Sequence, residues 1–306
     1  MKNIIGRILQ KRLKELYMDK TYFTQKWMNA REEYDMCARS SILDYYLREN
    51  DNLEKIIDIG SGTGSFLRWL IVKKYKFEKI LMIDQDEKLL NKVYKITRGL
   101  SIDENLLLKK ASSNLFHLDS PNQNILSEIR IMKGDISKLF KYIYNYNFIS
   151  FSAIADILPK LFLDKLFSVH LENKTILFSI CYDGKVSWNI KNKYDKYIMK
   201  KFNEHQQSVK NDNYTLGPAS IRYIKKKAKQ KLYKVKTMDS PWKLNSDNVS
   251  NKDFHQQYIN TIYKALQKDK NTDTLILKEW IHDKSEKIKK GKLKTIVNHK
   301  DILLLT

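Results

Sequence analysis

The chain has 306 residues, of which 42% are hydrophobic and 11% are aromatic. This composition is typical of a globular protein with a sizeable core and excludes an intrinsically disordered chain. The formal net charge is +22, and only two cysteines are present, Cys37 and Cys181. Two cysteines give neither a disulfide framework nor a zinc-binding spacing, so a reducing compartment is predicted.

The positive charge has two interpretations. Dense lysine runs at 225–231 and 284–294 would suit a polyanionic partner such as nucleic acid. However, the basic residues are mostly lysine, and the chain is rich in Asn, Ile and Tyr but poor in Ala, Gly and Pro. These are the amino acids of A/T-rich codons, so a genome-wide base bias explains the charge without any partner. Nucleic acid is therefore the second choice of partner.

The sequence shows no targeting or membrane signal. The segment from Met1 to Met18 mixes charges into its apolar positions, so it lacks the core of a signal peptide. No stretch reaches about 18 uninterrupted apolar residues, the length that a membrane-spanning helix needs. We therefore expect a cytoplasmic protein that does not bind membranes.

The first 52 residues are predicted to be helical. Apolar residues recur at helical spacing from Phe23 to Leu47, ahead of the first strand. Arg31 and Arg39 stand out in this segment because arginine is scarce in the chain. Either arginine can bind a carboxylate group in a bidentate pair, or it can form a surface ion pair with a neighbouring acidic residue.

A strand and a glycine turn follow. The β-branched run Ile56–Ile59 predicts a buried parallel strand, and the residues from Ser65 onward predict a helix. Between them, glycine occupies alternate positions, at Gly60, Gly62 and Gly64. This strand–turn–helix geometry lets a backbone approach a nucleotide-like ligand. The dinucleotide-binding fingerprint would need glycine at the position of Ser65, which disfavours an NAD enzyme.

The second predicted strand, Lys79–Asp84, ends in a carboxylate. A carboxylate at the tip of this strand lies beside the glycine turn and can accept hydrogen bonds from both ribose hydroxyls. The alternative is that Asp84 caps a helix predicted over Glu87–Gly99. The third predicted strand, Ile129–Ile136, contains Asp135 at its end, and Asp135 has the alternative role of a turn residue. The polar residues 106–127 before it predict an irregular surface excursion.

The fourth predicted strand is Phe148–Ser152. The carboxyl ends of parallel strands share one edge of a sheet, where ligands bind, so the loop after this strand should face the reacting group. Ser152 and Asp156 are the candidate residues there. Asp156 can act as a general base, or it can cap a helix predicted over Pro159–Leu171.

The fifth predicted strand, Thr175–Tyr182, is followed by a long polar stretch over 183–217. This stretch leaves the same edge of the sheet and is rich in aromatic residues, so it predicts an ordered lid over the ligand. His205 in the lid is a candidate proton acceptor, with a structural role as the alternative. Beyond it, the pattern predicts a helix over Pro218–Lys231 and a strand over Tyr233–Met238.

Three of these motifs together resemble class I S-adenosylmethionine (SAM) methyltransferases. They are the G-x-G-x-G turn with Asp58 two residues before its first glycine, Asp84 after the second strand, and Asp135 after the third. In that family the turn packs against the methionine part of SAM, and the two later acids bind the ribose and the adenine amino group. An N-terminal helix often lies across the SAM pocket, which makes Arg31 a candidate for binding the SAM carboxylate. The SAM-binding residues that the resemblance implies are Asp58, Gly60, Ser61, Gly62, Thr63, Gly64, Asp84, Asp135, Ile136 and Arg31.

A weaker resemblance extends over most of the chain. Five short motifs are similar to an uncharacterised bacterial subgroup of the same family, which carries no known substrate. These motifs are Trp27–Glu32, Asn203–Gln206, Leu216–Pro218, Ser240–Trp242 and His299–Leu304.

The family resemblance implies an α/β fold. We expect a Rossmann-like, seven-stranded, mostly parallel sheet with helices on both faces and lid insertions. The last strand, Thr295–Leu305, should be antiparallel, after helices over Asp253–Lys268 and Thr272–Lys290. The predicted divisions are an N-terminal helical segment (1–52), a SAM-binding core (53–182), a lid and helix (183–232) and the last strands with inserted helices (233–306).

The predicted function is transfer of a methyl group from SAM to an oxygen or nitrogen atom of a small molecule. Ser152, Asp156 and His205 are the catalytic candidates, and no metal is needed because the sulfonium is already a good leaving group. The chain lacks the family's Asn-Pro-Pro-Tyr signature for amino groups on bases and glutamine. Two alternatives remain: an RNA methyltransferase that uses the lysine runs, and a SAM-binding protein without catalytic activity.

Overall fold

The computed structural model describes residues 25–50, 53–103, 106–120, 125–136, 139–169, 171–207, 209–210 and 213–306. The predicted N-terminal helical segment is therefore described from Gln25 to Asn50, while Phe23 and the stretch from Met1 to Met18 lie outside the described residues.

Helices flank the sheet and extend beyond it. Their bounds are α1 Gln25–Ala38, α2 Ser41–Asn50, α3 Ser65–Val72, α4 Glu87–Leu90, α5 Val93–Asp103, α6 Phe140–Ile143, α7 Lys160–Ser168, α8 Asp195–Gln206, α9 Ser220–Gln230, α10 Val249–Leu266 and α11 Thr274–Lys289. The predicted helix over Glu87–Gly99 is thus two helices, α4 and α5. A short 3-10 turn, Gly217–Ala219, precedes α9.

Seven of the strands correspond to predicted ones, and the others were not predicted. Their bounds are β1 Lys55–Ile59, β2 Lys79–Asp84, β3 Leu107–Lys110, β4 Leu115–Ser120, β5 Ile125–Lys133, β6 Phe148–Ser152, β7 Thr175–Trp188, β8 Val209–Lys210, β9 Asn213–Tyr214, β10 Lys234–Asp239, β11 Trp242–Leu244 and β12 Thr295–Leu305.

One mixed sheet organises the described chain. Its strand order is β10-β12-β7-β6-β1-β2-β5-β4-β3, and β11 pairs beside β12. Strands β7, β6, β1, β2 and β5 run parallel to one another, and β12 runs antiparallel to both β7 and β10. The predicted Rossmann-like sheet with an antiparallel last strand is therefore confirmed, although this sheet has ten strands and not seven.

The polar stretch 106–127 was wrongly predicted to be irregular. It contains β3 and β4, which pair antiparallel with each other and extend the sheet beyond β5. Leu108, Phe116 and Leu118 alternate along these strands and are buried against the first core cluster. An alternation of apolar and polar residues indicates a half-buried strand. Here the alternation is short and is interrupted by polar residues, so the sequence does not show it clearly.

Strand β7 is longer than predicted. The sequence placed the end of this strand at Tyr182 and the start of the lid at Asp183, but β7 continues to Trp188. Polar residues can extend β7 because β12 pairs with it as far as the register pair Thr295 and Trp188. This pairing satisfies the backbone hydrogen bonds of the extension. Both strands therefore project past the edge of the parallel sheet where β6 ends.

Three buried clusters stabilise the fold. One lies on the face of the sheet under α2 and α3, and the second lies on the face under α7 and α9. The third lies beyond the sheet edge, between the extended strands and helices α1, α8, α10 and α11. Within the described part of the chain, no helix combines the length and the apolar character needed to cross a bilayer.

Leu303 in β12 is fully buried between β7 and β10. We expect Leu303→Ala to lower the free energy of unfolding by about 2–5 kcal/mol, because it removes packing at the centre of the first cluster. Ile296→Ala in the same strand, where the side chain is 43% exposed, should cost less than about 1 kcal/mol. Urea unfolding of both variants measures the difference, and equal losses would contradict the buried position of Leu303.

Candidate functional site

The glycine turn follows β1 at the carboxyl edge of the sheet. Gly60, Gly62 and Gly64 have φ values of +71°, +54° and +91°, in the left-handed region that favours glycine. The backbone N–H groups of Gly60 and Ser61 donate to the carbonyl oxygen of Ile83 at 2.8 and 3.1 Å. Three glycines are therefore required by conformation, and the start of the turn is attached to β2.

Asp84 joins the turn to the end of β2. Its Oδ2 accepts the N–H of Gly62 at 2.8 Å, and its Oδ1 accepts the N–H of Asp86 at 2.8 Å. Burial raises the pKa of this carboxyl, and the backbone N–H groups oppose the shift. A carboxylate has about four lone-pair sites, so further acceptor capacity remains. The cap of α4 is Asp86, which accepts the N–H of Lys88, so Asp84 is not the helix cap.

The third predicted motif meets the second at this edge. The N–H of Gly134 donates to the carbonyl oxygen of Asp84 at 3.0 Å. Asp135 and Ile136, both partly buried, follow directly. The structure thus brings the glycine turn, Asp84 and the end of β5 to neighbouring positions.

Side chains cover one side of the glycine turn. A Cβ on Gly62 would lie 2.7 Å from Cε of Met28 in α1, and a Cβ on Gly60 would lie 2.7 Å from Cδ1 of Ile154. The sequence predicted a bare turn that faces a ligand, whereas here α1 packs across it. Methionine has three flexible side-chain torsions, so Met28 can move at low cost.

An ion pair fastens α1 to the same turn. The Arg68 guanidinium donates to both carboxylate oxygens of Glu32, at 2.5 and 2.6 Å, and through Nη1 to the carbonyl oxygen of Thr63 at 2.6 Å. Arg68 is almost fully buried. Because the pair is charged and shielded from water, it is a strong link between α1 and the turn.

Asp58 lies beneath the turn and is almost fully buried. Burial raises the pKa of its carboxyl to about 7, while the Ser150 hydroxyl and the charge of Arg39 oppose that shift. Near neutral pH this carboxyl is therefore divided between its protonated and ionised forms.

The two candidate arginines have different partners. Arg31 directs Nε and Nη2 at the carboxylate of Asp35, at 3.0 and 3.2 Å, and Trp242 also donates to that carboxylate at 2.9 Å. The bidentate fork of Arg31 is therefore engaged by a neighbouring acid. Of the two alternatives for Arg31, the structure shows the ion pair with a neighbouring acid, although the pair is buried and not at the surface. A role of Arg31 toward SAM stays a prediction.

Arg39, the second candidate arginine, lies at the carboxyl end of β6. Its Nη2 donates to Oγ of Ser152 at 2.8 Å, while buried Nε and Nη1 have no hydrogen-bond partner among the described residues. Burial lowers its pKa, and the charges of Asp35, Asp301 and Asp58 oppose that shift. Arg39 lies between the end of α1 and the start of α2. The apolar pattern of the sequence continues across this break and so does not indicate it.

Ser152 and Asp156 lie at the end of β6 and in the loop beyond it. Ser152 bonds both Arg39 and the Ser179 hydroxyl, the latter at 3.2 Å. Burial raises the pKa of the Asp156 carboxyl to about 6, against the charge of Arg31. Helix α7 begins at Lys160 with Pro159 at its cap position, so Asp156 does not cap it.

His205 lies in the last turn of α8. The pKa of Asp269, in the turn between α10 and α11, is held down first by a hydrogen bond from Thr272 and also by the charges of Lys201 and His205. The charge of His205 therefore acts on Asp269, and the catalytic role of His205 stays a prediction. Among the described residues, no group of three or more His, Cys, Asp or Glu side chains is arranged to hold a metal ion.

Comparison with known proteins gives structural similarity only. No protein-family description and no curated protein matches the chain. Among solved structures it is similar to the YcgJ protein from Bacillus subtilis, with 9% identity, 86% of this chain and 97% of that chain covered, and a TM-score of 0.47.

Two further similar structures belong to named enzymes. One is a SAM-dependent methyltransferase from Thiobacillus denitrificans in complex with S-adenosyl-L-homocysteine, with 13% identity, 93% and 99% of the two chains covered, and a TM-score of 0.41. The other is the cyclopropane synthase MmaA2 from Mycobacterium tuberculosis, with 10% identity, 89% and 86% covered, and a TM-score of 0.39. Sequence identities and TM-scores this low support no conclusion about function. The function has to be argued from the site itself.

Asp58 should make stability depend on pH. Between about pH 4 and pH 7 the folded protein keeps a proton on Asp58 that an unfolded chain has lost, so its stability relative to Asp58→Asn falls as pH rises. The slope is at most about 1.4 kcal/mol per pH unit and vanishes above the folded pKa. Urea unfolding of both proteins across this range measures it, with exposed Glu279→Gln as control. A pH-independent difference would contradict the raised pKa.

Proposed function

We propose that the protein is a SAM-dependent methyltransferase with a small-molecule acceptor. The observation that carries this proposal is the bond between the Asp84 carboxylate and the N–H of Gly62. It holds a turn of three left-handed glycines against a carboxylate at the tip of the next parallel strand. In parallel α/β sheets, nucleoside ligands bind at this edge.

The residues present fit the donor. Asp84 retains lone pairs for ribose hydroxyls, and Asp135 and Ile136 follow β5 beside it, where the adenine would lie. Ser61 and Thr63 contribute backbone to the turn. Met28 must rotate away from Gly62 for the donor to reach the backbone there, so α1 belongs to the binding site.

Arg39 is the better candidate for the amino-acid end of the donor. A buried guanidinium with two unpartnered nitrogens forms strong bonds with a carboxylate, and it carries the matching charge. We therefore assign the donor carboxylate to Arg39 ahead of Arg31, whose fork is occupied by Asp35. Asp58 lies close enough to lower the electrostatic cost of burying Arg39.

When bound, SAM supplies an activated methyl group on a sulfonium. The chain's own contribution is to position the two reactants and to exclude water from between them. Asp156 stands beyond β6 on the edge where the acceptor would bind. A pKa of about 6 lets its carboxylate accept a proton at neutral pH. Ser152 orients Arg39 through its hydroxyl.

A small acceptor agrees better with the lysine positions than RNA does. The run at 225–231 occupies the second half of α9, which leads into Lys234 beside the final residues of β12, at the end of the sheet opposite Ser152. Lys284 of the other run is fully buried and pairs with Asp195. We retain the four predicted divisions of the chain as part of this proposal.

Calorimetric titration with SAM tests the donor site. Gly62→Val should abolish the heat seen with the wild-type protein, because a β-branched residue is strained at φ +54° and its methyl groups occupy the ligand side. Gly99→Ala is the control, since a Cβ there meets no atom within 4 Å. Thermal melting verifies that both variants fold. Absence of heat with the wild type would reject the donor, and unchanged heat with Gly62→Val would reject the turn.

Arg39→Gln should weaken SAM binding by about tenfold or more, because it removes a charge-assisted pair. Binding of 5′-methylthioadenosine, which lacks the amino-acid part, should not change. Arg222→Gln, on the exposed side of α9, is the matched control. Equal weakening of both ligands by Arg39→Gln would instead identify a structural role.

A further inference from the structure

An aromatic cluster lies above the ligand edge, on the extensions of β7 and β12. Tyr182 and His299 are register partners in these strands, with ring centroids 6.0 Å apart. Trp242 of β11 lies 4.7 Å from His299 and 6.4 Å from Tyr258 of α10. We call these four residues the aromatic site.

Neighbouring helices enclose the aromatic site. Trp27 and Tyr34 of α1 stack on Phe254 of α10 at 5.4 and 4.3 Å, which closes one side. Phe202 of α8 lies 6.2 Å from Tyr182 on another side. All four residues of the site are consequently at least nine-tenths buried.

Two polar atoms in the site have no hydrogen-bond partner among the described residues. They are Nδ1 of His299 and the hydroxyl of Tyr258. Burial lowers the pKa of His299 to about 3, with the charge of Arg31 acting in the same direction, and a backbone bond to Val297 opposes it. The ring is therefore neutral. A neutral imidazole has one nitrogen that accepts a hydrogen bond, and Nδ1 is buried without a partner. Such buried polar groups are costly when unpaired.

The charge at the site is negative, although the chain as a whole is strongly basic. Burial raises the pKa of the Tyr182 hydroxyl, and the charges of Asp183 and of Asp156, in the loop after β6, add to that shift. The nearby cation is Arg31, whose guanidinium carbon lies 5.1 Å from the centroid of the Trp242 ring and whose charge is balanced by its bidentate pair with Asp35. Asp156 therefore adds a negative charge beyond the balanced Arg31–Asp35 pair, and Arg31 helps to stabilise its ionised form.

We propose that the aromatic site binds a primary or secondary amine in its cationic form, as the methyl acceptor of the proposed reaction. The N–H groups of an ammonium supply the donors that His299 Nδ1 and the Tyr258 oxygen lack. Its charge is balanced by Asp156, and aromatic rings favour cations near their faces. The proposal rests on the methyltransferase function for the fate of the amine, but not for its binding.

Asp156 then has a defined chemical role toward this acceptor. An ammonium nitrogen has no lone pair and is not a nucleophile. Transfer of one proton from the nitrogen to the Asp156 carboxylate breaks the N–H bond and forms an O–H bond. The electron pair of the broken bond stays on nitrogen, which becomes the neutral nucleophile.

Binding is measured without SAM, so that activity of the complete enzyme is not needed. The probe is n-butylamine, and n-butanol is its uncharged control of similar size. The readout is the indole ¹H–¹⁵N signal of Trp242, which a Trp242→Phe spectrum assigns. We expect n-butylamine to shift this signal with saturation and n-butanol to leave it in place.

Variants identify the groups responsible. Asp156→Asn should weaken n-butylamine binding by about tenfold or more, since it removes the balancing charge. Tyr258→Phe should weaken it by a smaller factor, whereas Tyr263→Phe, which deletes a hydroxyl elsewhere on α10, should not. Far-ultraviolet circular dichroism confirms that each variant folds.

The outcomes separate this proposal from the proposed function. If the wild type binds SAM but not n-butylamine, or if Asp156→Asn binds n-butylamine as well as the wild type, the amine site is rejected and the donor site stands. If n-butylamine binds as expected but SAM does not, the amine site stands and the methyltransferase function is rejected.

Discussion

The bond from the Gly62 N–H to the Asp84 carboxylate is the constraint on which the ligand edge depends. It links a turn that only glycines can form to the tip of the adjacent strand. With the turn fixed there, α3 starts in one place, and Arg68 in that helix can hold Glu32 of α1. Together with the bonds from Gly60 and Ser61 to Ile83, this hydrogen bond sets the position of the turn, and through it the position of the helix that covers the site.

Buried charge gives the same edge its second property. Arg39, Asp58 and Asp301 lie close together between the sheet and the first two helices. Burying such charges costs free energy unless each charge is balanced. Truncating one of them leaves another buried without its counter-charge, which destabilises the fold. The unpartnered nitrogens of Arg39 therefore cost stability, and the proposed role toward the donor carboxylate gives them a partner.

The sequence predicted the parallel core well because its strands are short apolar runs, and those of β1 and β2 end at a glycine and a carboxylate. β2, β6 and β12 have the bounds that the pattern indicated. It failed where pairing decides structure: polar residues 183–187 become strand only because β12 lies beside them. Likewise, Arg31 pairs with Asp35 one turn along the same helix, whereas Ser152, the partner of Arg39, is distant in the chain and no local pattern points to it.

The position of β12 has a consequence for how the chain folds during synthesis. This strand lies between β7 and β10 in the sheet, yet it is translated well after both. Until it emerges from the ribosome, β7 presents an unpaired apolar edge, and β10 has no neighbour to pair with. Between the synthesis of β7 and that of β12, the nascent chain therefore exposes unpaired strand edges. Such edges are the kind of surface that chaperones shield.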